Sequence, residues 1–395
     1  MNINNTKLKI LEIIKIKGSI SRIDLSRELD FTPAAISKII KELIDKQIVL
    51  EITLGNSTGG RKPILLTLNE DKFGYILGVS YAPTYFQITV GDIKGNIIET
   101  SRYSITNIET ILNDSIKKIE KKFKRYPNIN VLSVVVNGFL NSKTGMSIFS
   151  PHYKWKKLNI KKIFEDKFDI PVIVENDVRA MSLAEKIFGS CKKCDNFVLI
   201  NISEGIGSSI FLDGDLHSGY GFIAGEIGHI IMDRSSIRKC SCGKRGCLEA
   251  EASNTAIINK LTSQIKLNNY SLLKEPLKIN GKITMEDVLY GVKERDFLST
   301  KVSTEAITII AHAIDMVISL INPEKIILVG ELFQEPFLFN TLTLEIEKVI
   351  LEEQKYEILT SDLFKDMHTY CSIATVIHKM FKDEKFTDKF LNIYF

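Results

Sequence analysis

Between Glu226 and Glu249 the chain places one histidine, three cysteines and two glutamates within 24 residues, E-I-G-H-I-I-M-D-R-S-S-I-R-K-C-S-C-G-K-R-G-C-L-E. His229, Cys240, Cys242 and Cys247 offer one imidazole and three thiolates, the soft nitrogen and sulfur set that suits a closed tetrahedral zinc site. Gly243 and Gly246 allow the tight turns that three converging sulfurs require. A structural Zn2+ there would pin the loop and hold Glu226 and Glu249 rigidly at its ends, as acceptors for a polyol. The alternative is three free cysteines in a surface loop. The C-x-C-x4-C spacing downstream of a histidine favours the metal.

The pattern E-x-G-H followed by C-x-C-G-x-x-G-C-x-E resembles the zinc and sugar motif of the ROK family, which groups sugar-sensing repressors with sugar kinases. The resemblance implies that His229 both ligates zinc and faces the sugar, and that Glu226 and Glu249 bind sugar hydroxyls. It leaves repressor and kinase to be separated by the rest of the chain.

A chain of 395 residues exceeds one compact core and predicts two or three domains. Its 44% hydrophobic and 25% charged content is that of an ordinary globular protein. No apolar run reaches about 18 residues, and residues 1–9 lack the apolar core of a signal peptide, so a cytoplasmic protein without membrane contact is expected. Six cysteines in so long a chain do not make a secreted disulfide framework. Cys191 and Cys194 form a C-x-x-C in a polar turn, a redox pair, a metal half-site or an ordinary loop; without partner ligands nearby the loop is expected. Cys371 reads as a small buried helix residue. The charge is uneven: residues 1–62 hold 11 Lys and Arg against 7 Asp and Glu, leaving 41 against 41 in the remainder. That asymmetry suits a nucleic-acid-binding module on a neutral body.

The N-terminal module reads as a winged helix-turn-helix. Leu8, Leu11 and Ile14 have helical spacing up to Gly18; Ser21 and Asp24 form an S-x-x-D box opening a helix to Leu29; Thr32 caps a third helix with Pro33 at its first position. Ile36, Ile39, Ile40 and Leu43 line one face of that helix. Thr32, Ala34, Ser37, Lys38 and Lys41 are small or cationic and fit base edges and phosphates in a major groove. Strands at 52–54 and 64–68 flank a glycine-rich tip whose Arg61 and Lys62 suit a minor groove or adjacent phosphates. The alternative is a protein-binding winged helix. The T-G-G-R-K-P tip resembles the wing of ROK repressors.

Strands at 75–79 and 85–90, and again at 197–202 and 208–212, are strand-strand-turn openings about 120 residues apart, each followed by helices. They predict a duplicated α/β fold with a cleft between lobes. ROK proteins are built on the actin-like plan, sugar kinase or ribonuclease H-like, and the expected units are 1–70, 71–190 with a C-terminal helix 372–395 packing back, and 191–371 with the zinc loop. Strand 171–174 ends in Glu175, Asn176 and Asp177, a polar triplet where α/β sheets usually hold ligands. It matches the family's E-N-D motif, with Asn176 and Asp177 on sugar hydroxyls; a helix cap at Asp177 is the alternative. Where the family carries a P-G turn near the sugar, Asn137 stands for the proline and Gly138 is carried over. Trp155 either covers a sugar face or anchors a core. Residues 255–300 read as irregular, 304–321 as an amphipathic helix and 372–381 as the last helix.

By resemblance Asp177 occupies the general-base position of ROK kinases. The nucleotide elements differ. The D-x-G-G-T hairpin of such kinases is here Ser80-Tyr81-Ala82-Pro83-Thr84, without acid or amide-rich glycines. The second phosphate loop carries Glu204, and a carboxylate about 4 Å from a phosphate costs on the order of 4 kcal/mol at intermediate dielectric. Gly330-Glu331 replaces a Gly-Gly. A non-enzymatic, sugar-responsive repressor is therefore expected. It would bind an inverted-repeat operator as a homodimer, or a tetramer, and take a monosaccharide or sugar phosphate, xylose foremost, as effector. An ATP-dependent sugar kinase is one alternative, and a constitutive DNA-binding or architectural protein with a vestigial sugar pocket is the other.

Overall fold

A computed structural model describes residues 3–53, 64–351 and 353–393. The first helix, α1 (Ile3–Lys17), buries Ile10, Leu11 and Ile14. A short strand β1 (Ile20–Ser21) leads into α2 (Arg22–Leu29), where Ser21 Oγ accepts the Asp24 amide at 3.1 Å and donates to the Asp24 carboxylate at 2.6 Å. Thr32 caps α3 (Pro33–Asp45) by accepting the Ala35 amide at 3.3 Å. Ile36, Ile39, Ile40 and Leu43 are buried along one stripe of α3. Strand β2 (Val49–Thr53) starts three residues before the expected Ile52, because buried Val49 pairs with Leu68 of β3 (Ile64–Leu68); β1 closes the other side of β3. The wing tip, with Arg61 and Lys62, lies outside the described residues.

The core of this domain is continuous with that of the body. Ile10, Leu11, Ile14 and Leu66 share one apolar cluster with Phe73 of α4 (Glu70–Phe73), with Ile76 and Ile93, and with Ile373, Ile377, Met380, Phe381 and Phe390 near the C-terminus.

The first lobe runs β4 (Tyr75–Tyr81), β5 (Tyr85–Gly91), β6 (Ile97–Ser104), α5 (Ile111–Arg125), β7 (Ile129–Val136), a small sheet of β8 (Phe139–Asn141), β9 (Met146–Ser150) and β10 (Trp155–Asn159), then α6 (Ile160–Phe168), β11 (Val172–Asn176) and α7 (Asp177–Ile187). The second runs β12 (Phe197–Ile202), β13 (Ile206–Leu212), β14 (Asp215–His217), the cysteine loop, α8 (Leu248–Ala252), α9 (Asn254–Lys266), α10 (Lys274–Asn280), α11 (Met285–Lys293), α12 (Phe297–Ile321), β15 (Lys325–Val329), α13 (Pro336–Glu347) and β16 (Glu357–Thr360). The chain closes with α14 (Met367–Lys382) and α15 (Glu384–Ile393).

The two main sheets are built alike. Their orders, β11-β7-β4-β5-β6 and β14-β13-β12-β15-β16, are each an antiparallel three-strand meander whose first strand is continued by two parallel strands. Parallel strands buried on both faces need helices as covers. α7 and α14 fill that role between the sheets: Ala180, Met181, Leu183, Cys371 and Ala374 pack with Val135 of one sheet and Phe197, Leu199 and Ile327 of the other. Cys191 and Cys194, expected in an ordinary polar loop, are both buried in this same cluster, because the turn folds its thiols inward and leaves Lys192 and Lys193 outside.

Residues 255–300 are helical rather than irregular. Ile257, Leu261 and Ile265 of α9 fall at four-residue spacing onto the second lobe's core, and a Thr284–Asp287 capping box starts α11; the intervening charges lie on the solvent side. α12 begins at Phe297, seven residues before the expected start, because Asp296 caps it. Among the described residues it is the one helix long and apolar enough to cross a membrane, yet Val302, Ile307, Ile310 and Ile314 are buried in the second lobe. The terminal helix expected from Ser372 begins at Met367 and is followed by a second, α15.

Candidate functional site

The cysteine loop is pressed onto the second sheet by glycines. A Cβ on Gly225, at φ +91°, would stand 2.3 Å from the Ser208 carbonyl oxygen, and one on Gly228 would stand 2.0 Å from that of Ile206. This close approach fixes Glu226 and the 3-10 turn Ile227–His229 that it opens against the sheet. The rest of the loop doubles back through bridges between Ile231 and Cys247 and between Lys239 and Arg245. His229 Nδ1 comes to 3.3 Å from Cys240 Sγ, and Cys242 Sγ lies 3.7 Å from Cys247 Sγ. The ligating atoms of His229, Cys240 and Cys242 all fall within 4.8 Å of one another. Tetrahedral zinc with sulfur at about 2.3 Å spaces its sulfurs roughly 3.8 Å apart, so the donor set and its spacing fit that ion. Burial pushes the Cys247 thiol up to about 12.

The ring nitrogens of His229 face opposite ways. With Nδ1 toward Cys240, Nε2 stands 3.9 Å from Glu226 Oε2. On the first lobe, β11 hands over to α7 at Asn176, whose Oδ1 accepts the Arg179 amide at 3.1 Å. Asn176 is therefore the cap, in place of the alternative at Asp177, which is the first helical residue. Asn176 Nδ2 donates to the Gly138 carbonyl at 3.1 Å and to Asp177 Oδ1 at 2.9 Å. Gly138 has φ +94° and its missing Cβ would lie 2.5 Å from the Phe149 carbonyl oxygen, so a side chain there is excluded.

Burial raises the Asp177 carboxyl to about 6. Burial, then the charge of Asp177, raises Glu226 to about 7. Glu249 ties the loop to the sheet, accepting from Ser241 Oγ at 2.9 Å and from the Ile206 amide at 3.2 Å. Both N–H groups of the Asn176 amide are spent on Gly138 and Asp177, which leaves the acid oxygens of Asp177, Glu226 and Glu249 to accept from a polyol's hydroxyls.

On the N-terminal domain, Thr32, Ala34, Ser37, Lys38 and Lys41 are all exposed on α3, opposite its apolar stripe. A helix face of small residues with two cations is what a major groove admits.

Residues 3–49 match the winged helix-turn-helix DNA-binding family, and residues 76–369 match the ROK family. The chain belongs to the ROK family. It is 30% identical over 345 residues to a xylose repressor of Caldicellulosiruptor bescii, covering 83% of this chain and 85% of that one. Among solved structures it resembles a ROK family transcriptional regulator described as a homologue of the E. coli MLC protein, with TM-score 0.86, 30% identity and coverage of 99% and 98%. It also shares the fold of a ROK family glucokinase from Streptomyces griseus solved with glucose and AMPPNP, with TM-score 0.66, 21% identity and coverage of 78% and 100%.

In this ROK chain the first hairpin is closed by side chains. Ser80 Oγ is buried and donates to the His368 carbonyl at 3.0 Å. The Ala82 carbonyl accepts from Tyr153 at 2.7 Å, and that of Pro83 sits 2.7 Å from His152 Nε2. Trp155 stacks on Tyr153 and meets Tyr81 edge-on, so it anchors this aromatic cluster. Glu204 is exposed at the turn between β12 and β13. Glu331 bonds Asn254 Nδ2 at 3.1 Å; burial and then the charge of Glu204 hold its carboxyl up.

Sequence reasoning missed Arg179. It is 4% exposed, and its guanidinium donates to Glu175 Oε1 at 2.7 Å, the Phe222 carbonyl at 2.9 Å, the Leu140 carbonyl at 3.1 Å and Ser142 Oγ at 2.9 Å. The bond to Phe222, a non-glycine residue at φ +60°, ties the second-lobe segment leading to Glu226 onto the first lobe. Its one sequence signal was the four-residue spacing from Glu175 on a helix start.

Proposed function

We propose that this ROK protein is a sugar-responsive transcriptional repressor. Its α3 face and wing take operator DNA, and the crevice between Asn176-Asp177 and Glu226-His229-Glu249 takes the effector. One observation carries the reading. The DNA-binding domain shares its core with α14, and α14 packs on α7, whose first turn presents Asp177 to the crevice. A lobe movement set by a bound sugar therefore reaches the DNA-reading helix through continuous packing, shifting the population between two spacings of paired domains.

The working units are residues 1–70, 71–190 with 372–395, and 191–371. Zn2+, held by His229, Cys240, Cys242 and Cys247, would supply a rigid cross-link and no chemistry; His229 Nε2 is left to the sugar. Gly138 lends its carbonyl to Asn176 and its lack of a side chain to the pocket. The acting species is a homodimer, or a tetramer built from it, on an inverted repeat, since recognition helices read half-sites about one turn apart. It works with its DNA in the cytoplasm. Xylose leads as effector, supported by the xylose repressor of C. bescii.

The kinase reading has one observation in its favour: an Asp177 carboxyl near 6 suits a general base at neutral pH. Buried Ser80 in place of the hairpin acid, with Glu204 and Glu331 around the phosphate position, weighs against it.

The test is operator release followed by fluorescence anisotropy across a monosaccharide panel. One sugar should release wild-type protein and fail on Asp177→Asn and Glu226→Gln. Equal release of all three proteins removes the pocket from the reading, and sugar-dependent ATP consumption by the purified chain establishes the kinase instead.

A further inference from the structure

The chain crosses between the lobes twice. It leaves the first lobe after α7 through residues 188–196 to reach β12, and returns from β16 through residues 361–366 to α14. The first turn of α14 is held on the first sheet by Ser80 of β4, which donates to the His368 carbonyl at 3.0 Å, and by Gln87 of β5, whose Nε2 donates to Thr369 Oγ1 at 2.8 Å. A rotation of one lobe against the other is absorbed in such connections rather than in the packed sheets.

Both crossings are tied to one carboxylate. Glu185, in the last turn of α7, is fully buried. Its Oε2 accepts from the Ser190 amide at 3.0 Å and from the Ser190 hydroxyl at 3.2 Å, in the first crossing. Its Oε1 accepts from the Ser361 hydroxyl, at the start of the second. Ser361 Oγ in turn accepts the Leu363 amide at 3.1 Å, so its single proton is left for Glu185. Gly189 lets the first crossing close on the carboxylate, since a Cβ there would stand 2.0 Å from Oε2. All three donors are neutral, and a buried acceptor that loses one has no water to replace it.

Resting on the sugar-sensor reading above, we infer that Glu185 is a positioning residue for the response: through Ser190 and Ser361 it makes the two crossings move as one hinge. Its place in the chain fits that part. α7 carries Asp177 in its first turn and Glu185 in its last, and the second crossing runs directly into α14, whose Ile373, Ile377 and Met380 share the core of the DNA-binding domain. With the tie intact, a shift of α7 passes to α14. Without it the crossings bend separately, and each ligand binds without changing the affinity for the other.

The test compares wild type, Ser361→Ala and Glu185→Gln as full chains. Fluorescence anisotropy on a duplex selected by the protein from a random-sequence pool gives operator affinity, with and without D-xylose, D-glucose or N-acetylglucosamine at a concentration that saturates wild type; calorimetry gives sugar affinity. Wild type should show a sugar effect on operator affinity of about 5- to 150-fold, the usual range of coupling between two sites, and both variants should bring it below about threefold with sugar affinity within about threefold of wild type. Ser361→Ala removes one hydroxyl and leaves α7 its own bonds, so it carries the test alone if Glu185→Gln does not fold. A full sugar effect in folded Ser361→Ala overturns the inference and leaves the sensor reading intact. A reduced effect that returns at higher sugar concentration also overturns it, since the loss would then lie in sugar binding. A wild type that responds to none of the three sugars overturns the sensor reading and the inference together.

Discussion

Arg179→Met tests whether the two walls of the crevice are held by one side chain. Methionine keeps the apolar stem and removes the fork, leaving Glu175 without its cation and the Phe222 and Leu140 carbonyls without a donor. Glu175 is 8% exposed and keeps only the Ser142 hydroxyl and the Asn176 amide. Breaking a buried pair from one side costs about 3–5 kcal/mol, because an uncompensated charge stays in a medium that solvates it poorly. Against a total stability of about 5–15 kcal/mol the chain still folds, so the change is measurable by urea unfolding.

A double cycle with Glu175→Gln isolates the pair. Removing the stranded carboxylate should recover about 2 kcal/mol of the loss, an amount expected for residues in one network. The same variant should bind its sugar at least about tenfold more weakly, because Phe222 loses the bond that holds its left-handed backbone and Glu226 follows it four residues on. A loss below about 1 kcal/mol, with sugar affinity unchanged, would refute the latch.

Asp177→Asn should abolish the sugar response and yet stabilise the protein at pH 7.5. Burial raises the native carboxyl to about 6, well above an ordinary aspartate, so its charged form is penalised on folding; the penalty is absent below about 4, grows as pH rises to about 6 and persists above. The expected gain is on the order of 1 kcal/mol once solvent screening is allowed for, vanishing at pH 4, as read from unfolding curves at the two pH values. Cys242→Ser should lower the bound metal, measured by elemental analysis, from one ion per chain, and lower Tm with it; equal metal content and Tm would remove the four-ligand site. Lys38→Ala with Lys41→Ala should weaken operator binding and flatten its salt slope by about one per lost phosphate contact, and an unchanged slope would take α3 off the backbone.

Short-range order was legible because its causes are short-range. Thr32 and Pro33 mark a helix start wherever they stand, and the glycines and cysteines of residues 240–247 allow few loops besides one that gathers sulfur. The duplicated plan was visible in two hairpin openings, yet the matching orders of the two sheets rest on strand pairs far apart in sequence. Residues 255–300 were misread because their charges mask a sparse four-residue apolar spacing, and such a stripe declares itself only against the surface it covers.

The sequence by itself determined the ligand types: one imidazole and three thiolates, an Asn-Asp pair, two flanking acids, and small or cationic residues on one helix. The tertiary structure alone decided which way they face. His229 turns one nitrogen to sulfur and the other to Glu226, Asn176 rather than Asp177 caps the helix, and Arg179 joins the walls through carbonyls that no residue letter reveals. The winged domain, too, reads as a separate module, while its core runs on into helices from the far end of the chain. The reason is common to all of these: propensity and spacing act over a few residues, whereas burial and buried hydrogen bonds depend on which distant segments share a core.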